Sequence, residues 1–194
     1  LVAQLSTLAR AEQSTLFMML EASFVTLLHL YAHQKDILVG TPITLRTQTE
    51  TESLIGYFLN TLVLRSRIDD DMSFRSLLQQ VRETALGAFA HRDLSFSRLV
   101  AEFGSDRPVG RSPLFQAMFI MHSPDSVSLV SRVGDRRELE TGTSKFDLSL
   151  IVSETAGSLE GVFEYSSDLF EPATIRRMCR HYVTLLQAIA NGLD

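Results

Sequence analysis

Apolar positions crowd the interval 12–34 so densely that no polar face separates out, which predicts a helix covered by protein on both sides. A short β-branched run follows at 37–43, ending in Gly40-Thr41-Pro42, and reads as a buried strand. Residues 44–53 are polar and read as an exposed or crossing loop, while 59–68 alternate as a second strand. Ser73 stands before Phe74, Leu77, Leu78, Val81 and Ala85, a single stripe at helical spacing with a cap in front. Ser95 stands likewise before Phe96, Leu99, Val100 and Phe103, with Gly104 as the stop. Two prolines and a glycine make 105–114 a loop; 115–122 is a strand candidate, and 123–137 is polar and irregular. Strands over 145–154 and 158–167 turn at Gly157. A final helix opens at Pro172, carries Ile175, Met178, Cys179, Tyr182, Leu185, Leu186 and Ile189 on one face, and meets Gly192 at its C-terminal cap. This order of elements predicts an α/β or α+β fold on a mixed sheet.

Composition narrows the classes. With 194 residues, 45% of them hydrophobic, the chain suits one domain or one lobe of a larger one. A net charge of −5 speaks against nucleic acid as a partner. The most apolar stretch, 16–31, is interrupted by Glu21 and His29 and falls short of a membrane span, so no membrane is expected. Cys179 has no internal partner, which fits a reducing, cytoplasmic compartment. The chain opens at Leu1 without an initiator Met and reads as a fragment.

Candidate chemistry is sparse. There is no phosphate-binding GxxxxGK[ST] loop, no GxGxxG turn and no GxSxG nucleophile elbow. His29 and His33 stand at i and i+4, but the glutamate and third ligand of HExxH chemistry are missing, so no metal is expected. Cys179 lies on the apolar face of its helix and reads as a core thiol. His91 and Asp93 form a base-and-orienter spacing without an identifiable nucleophile, and His91 reads better as a group near a helix end that bonds terminal carbonyls. No catalytic residue is assigned.

Seven segments, in order, carry a resemblance. The run Ile55-Gly56-Tyr57-Phe58-Leu59-Asn60-Thr61-Leu62-Val63-Leu64-Arg65 resembles the IGxFVNTxxxR motif of condensation domains from nonribosomal peptide synthetases. His91-Arg92-Asp93-Leu94-Ser95-Phe96-Ser97 resembles HQDxPFE, departing from it at Arg92, Ser95 and Ser97, and Arg111-Ser112-Pro113-Leu114-Phe115-Gln116 resembles the RNPLFQ end of the next motif. Thr15-Leu16-Phe17-Met18, Val39-Gly40-Thr41-Pro42, Ser144-Lys145-Phe146-Asp147-Leu148 and Glu164-Tyr165-Ser166-Ser167-Asp168-Leu169-Phe170 are similar to flanking family segments.

The resemblance implies that 1–194 is the C-terminal lobe of a condensation domain, an α/β lobe similar to a chloramphenicol acetyltransferase subunit. Such domains join two lobes around a tunnel, and the N-terminal lobe carries HHxxxDG, which these residues lack. Carrier proteins bring substrates to it on phosphopantetheine arms, and an acceptor amine attacks a donor thioester. No cofactor would bind this lobe directly. Implied partners are the N-terminal lobe, peptidyl carrier proteins and a neighbouring adenylation domain. By the same resemblance 41–53 would be a floor loop and 123–143 a latch, and Tyr57, Asn60, Ser144 and Asp147 would border the tunnel or lobe interface. Ser144 reads equally as a cap where a strand begins. Gly56, Arg65, His91, Asp93, Arg111 and Pro113 would be structural members of the motifs. Rival readings are a non-catalytic scaffold that docks carrier proteins, and half of an epimerization or cyclization domain. An unpartnered face of helix 12–34 would also favour a homo-oligomer.

Overall fold

The computed structural model describes residues 1–46, 54, 56–104, 112–122, 142–155 and 157–192. Helix α1 (Val2–Ala11), which the hydrophobic pattern did not announce, leads by a short turn with Gln13 at φ 54° into α2 (Leu16–Ala32). Thr15 caps α2 by accepting the Met18 N–H at 3.2 Å, and His33 ends it in the left-handed region at φ 52°. The expected helix over 12–34 is therefore shorter at both ends. Strands β1 (Asp36–Thr44) and β2 (Leu59–Arg67) follow, then α3 (Phe74–Ala90), α4 (Phe96–Phe103), β3 (Ala117–His122), β4 (Leu148–Thr155), β5 (Ser158–Tyr165) and α5 (Pro172–Asn191).

The strands form one mixed sheet in the order β2-β1-β3-β4-β5. β1, β3 and β4 run parallel, with β2 and β5 antiparallel at the two edges. Their register sets the faces, because side chains alternate along each strand. Val39, Ala117, Leu148 and Tyr165 share one row; Gly40, Met118, Ser149 and Glu164 share the next, on the opposite face. Gly157, at φ 84°, makes the tight turn between β4 and β5.

The core fills the side of Val39, Phe119, Leu150 and Phe163, where α2 is clasped by the other long helices. Phe24 meets Phe119 and Phe163, and Phe163 meets Tyr182 of α5 edge-on with ring centres 6.2 Å apart. The Tyr182 hydroxyl donates to the Leu20 carbonyl at 2.9 Å, which locks α5 onto α2. Met18 to Val25 and Leu27 are all buried within this chain. The face expected to wait for outside material is therefore covered within the chain from Met18 to Val25, while Leu30 in the last turn stays 59% exposed. Ser23 and Thr26 satisfy their hydroxyls on carbonyls one turn back, at 2.7 and 2.9 Å. Glu21 has no such outlet: it is fully buried and both carboxyl oxygens lack a hydrogen-bond partner. Cys179 is half-buried against this core, and burial pushes its thiol pKa up. Among the described residues no single helix is long and apolar enough to cross a membrane.

Candidate functional site

Asn60 is the second residue of β2 and is buried at 8% exposure. Its side-chain N–H groups donate to the carbonyls of Arg92 at 2.7 Å and Leu94 at 2.8 Å. Its Oδ1 accepts the Phe96 N–H at 3.1 Å. One amide thus uses both donor and acceptor sides to tie the start of β2 to the turn between α3 and α4. Ser95 holds the N-cap position of α4 as expected, yet its hydroxyl makes no capping bond; separately, Asn60 takes the first helical N–H, that of Phe96. His91 sits at the C-cap of α3, with its backbone N–H on the Ala88 carbonyl at 3.2 Å and its own carbonyl accepting from Leu94 at 3.1 Å. The bond expected of its ring is made by the backbone. His91 and Asp93 are both exposed, and no hydrogen bond joins their side chains.

The other motifs converge on the same node through aromatic rings. Phe115, only 1% exposed, stacks on Phe146 at 5.3 Å and is tilted against Phe96 at 5.6 Å. Its ring also covers Gly40: a Cβ at position 40 would lie 2.3 Å from the ring carbons. Gly40 is thus a glycine within a strand because another group presses on its backbone. Segments of five motifs, around Gly40, Asn60, Phe96, Phe115 and Phe146, meet in one place. The spacing of the motifs gave no hint of this, and the strand glycine was its one local signal.

Beyond Asn60, β2 begins in a second cluster. Leu45 donates its N–H to the Phe58 carbonyl at 2.7 Å, continuing the β1–β2 pairing past Thr44. The half-buried Arg46 lies over the Phe58 ring at 4.2 Å and donates to the Leu54 carbonyl at 2.8 Å and the Gly56 carbonyl at 3.5 Å. Tyr57, between these held residues, is 85% exposed.

The remaining predicted residues are dispersed. Arg65 points away from the node, at the far end of β2, in a forked ion pair with Asp36 at 2.8 and 2.5 Å. Hydrogen bonding from Arg65 holds the Asp36 carboxyl below its ordinary range, though both partners are about half exposed and the pair adds little stability. Ser144 is half-buried and donates its hydroxyl to the Phe146 carbonyl at 2.5 Å. Asp147 uses its carbonyl to accept the Ser166 N–H at 3.1 Å. Pro113 is half-buried just ahead of Phe115. Arg111, the greater part of the 123–143 segment and positions 47–53 of the 41–53 segment lie outside the described residues. His29 holds the Gln34 carbonyl at 2.7 Å through Nδ1, and no cluster of three metal-ligating side chains occurs among the described residues.

Because Asn60 joins two elements with one side chain, its loss has a defined cost. Asn60→Ala leaves two carbonyls and one N–H short of a partner and should lower stability by about 2 kcal/mol. Asn60→Asp should cost at least as much, since it turns a carboxylate oxygen toward the Arg92 and Leu94 carbonyls. Urea unfolding of the two variants checks this; an alanine variant as stable as the parent would show the three bonds to be idle.

Residues 1–194 match the family described as Condensation domain. The chain is 47% identical over 195 residues to one component of the linear gramicidin synthase of Brevibacillus parabrevis, covering 97% of this chain and 2% of that protein. It is 38% identical over 193 residues to phosphinothricin tripeptide synthetase of Streptomyces viridochromogenes, covering 98% and 18% respectively. Among solved structures, a four-domain holo nonribosomal peptide synthetase bound to AMP and glycine superposes with a TM-score of 0.88 at 23% identity, over 98% of this chain and 16% of that one. The X-domain from teicoplanin biosynthesis gives a TM-score of 0.85 at 22% identity, over 98% of this chain and 45% of that one. The chain therefore spans a small part of its curated relatives and less than half of that single-domain structure.

Proposed function

Because this chain belongs to the condensation-domain family, we propose that it forms the C-terminal half of an amide-forming domain in a nonribosomal peptide synthetase. The observation that carries the reading is the family match along all 194 residues, with its motif segments packed into one node. In the reaction proposed, the amine of an acceptor held on one carrier protein attacks the thioester of a donor held on another. A C–N bond forms, the C–S bond breaks, and the thiol of the donor's phosphopantetheine arm leaves while the amine gives up a proton.

This half works by placement. Bringing two tethered reactants into attack geometry supplies a large share of a rate enhancement, and a wall serves that purpose only if it does not yield. The Asn60 amide and the Phe96–Phe115–Phe146 stack make such a wall by fixing the start of β2, the α3–α4 turn and the approaches to β3 and β4 as one body. Apolar side chains remain uncovered on the segments it ties together. Leu54, Tyr57 and Leu59 are 52%, 85% and 48% exposed, and Leu94 and Phe103 are 40% and 71% exposed. Such an apolar rim suits contact with the other half of the domain. Tyr57, Asn60, Ser144 and Asp147 belong to this side of the proposal, as do the 41–53 floor loop and the 123–143 latch. The HHxxxDG motif, absent from these residues, would come from the N-terminal half, and an adenylation domain and a cytoplasmic setting complete the picture.

The test uses two loaded carrier proteins. The 194-residue chain alone should form no amide above the uncatalysed level, and joining it to an N-terminal half bearing HHxxxDG should restore product. Turnover by the isolated chain that is lost on His91→Ala would overturn the reading.

A further inference from the structure

Gly56 and Phe58 are the two fixed positions that flank the variable one in the IGxF part of the first motif, and Arg46 engages both. Its guanidinium donates to the Gly56 carbonyl at 3.5 Å and lies over the Phe58 ring at 4.2 Å, while a second bond at 2.8 Å holds the Leu54 carbonyl. Gly56 is needed for the same packing, since a Cβ there would stand 2.9 Å from the Phe58 ring. The Arg46 backbone is itself fixed, with its N–H on Thr44 Oγ1 at 3.2 Å and the neighbouring Leu45 N–H on the Phe58 carbonyl at 2.7 Å. What this clamp leaves outside is Tyr57, at 85% exposure.

We propose that Arg46 is a positioning residue: it grips both neighbours of Tyr57 and so fixes the direction in which that ring projects. This rests on the reading above that this end of the lobe borders the reacting substrates. An exposed tyrosine on a free loop would sample many directions, and ordering it only on contact would cost binding energy. One terminal nitrogen, Nη2, donates to both carbonyls while the flat guanidinium covers the Phe58 ring; a lysine ammonium can reach the carbonyls but has no flat face to lay over the ring.

The experiment uses the full-length protein that carries this chain, with its carrier domains, and the variants Arg46→Ala, Arg46→Lys, Tyr57→Ala and the Arg46→Ala/Tyr57→Ala double. Tyr57→Ala and Arg46→Ala should each lower kcat for amide formation about tenfold, the scale expected when a contact is misplaced rather than a reacting group removed. The double variant should be no slower than Tyr57→Ala, Arg46→Lys should fall between, and the thermal midpoint should stay near the parent's. If Arg46→Ala fails to fold, Arg46→Gln, which keeps one amide donor, takes its place. A Tyr57→Ala variant at the parent rate would bring down the placement of this end at the substrates, and the inference with it. A slow Tyr57→Ala beside an Arg46→Ala at full rate, or effects that multiply in the double variant, would leave that placement standing and overturn the positioning role alone.

Discussion

Replacing Glu21 by Gln should flatten the pH dependence of this chain's stability between about pH 5 and pH 8, the largest effect expected of a single substitution here. Glu21 lies in the middle of α2, fully buried, with neither oxygen hydrogen-bonded. Burial raises its pKa from the ordinary 4.5 to about 8. The folded state therefore keeps the proton at pH values where the unfolded chain has released it. Stability is greatest below the unfolded value and falls as pH rises through the folded one. Each pH unit in that window costs about 1.4 kcal/mol, which amounts to roughly 4 kcal/mol by pH 7.5 relative to the acid end. In Glu21→Gln the ionisation is gone and this slope should vanish; Glu21→Met, which also removes the unpaired polar atoms, should be more stable still. Chemical unfolding at several pH values compares parent and variants, and the other carboxyl groups cancel in the difference. Parallel slopes for the parent and the Gln variant would show that Glu21 finds a partner in solution.

Gly40→Ala should destabilise the chain by about 3 kcal/mol, the upper part of the range for overpacking a filled interior. The new methyl group would lie 2.3 Å from ring carbons of Phe115, and that ring has nowhere to go. It is 1% exposed, with Phe146 on one side and Phe96 on another. Relief has to come from Phe115 itself. Phe115→Leu opens a gap of its own, yet Gly40→Ala on that background should cost far less than it does alone, a coupling expected of residues in direct contact. Equal costs on the two backgrounds, read from urea midpoints, would mean that the backbone moves and the ring does not matter. The same variant in an intact domain should also lose amide-forming activity, because Phe115 carries the clash to the Asn60 turn through Phe96.

Much of this architecture was legible in the sequence. The single stripe of α5, the Ser73 cap of α3 and the β-branched run of β1 each state their own conformation locally. The apolar density of α2 likewise reported its burial on all sides from Met18 to Val25. What escaped depended on neighbours distant in the chain. Val2, Leu5, Leu8 and Ala9 are too few and too mixed with polar residues to mark α1, whose helix is stabilised by packing on α2 and α5. Alternation placed Asn60 in a strand, but its partners are the carbonyls of Arg92 and Leu94, 32 and 34 positions on. Ser95 reads as a working cap because serines usually are; in the folded chain its hydroxyl makes no capping bond, and Asn60 from β2 takes the Phe96 N–H. Arg46 sits in a polar run where an arginine normally faces water, so nothing nearby marked it as a clamp.

The strand order also has a consequence in time. β1 with β2, and β4 with β5, are antiparallel pairs of neighbouring strands, and β4–β5 closes through a turn at Gly157. The β4–β5 pair closes through a tight turn and β1–β2 through the longer loop 45–58. Both are local beside the contacts of β3, since loop-closure entropy grows only slowly with length. Between them stands β3, which is parallel to both of its neighbours and therefore cannot join either by a tight turn. Gly40 meets Met118, on the far side of α3 and α4, only when that whole excursion has been gathered in. Contacts of such long reach set the pace of folding. Until β3 docks, the inner edges of both preformed pairs stand open, and the interval before docking is when this chain is most exposed to pairing with the wrong strand.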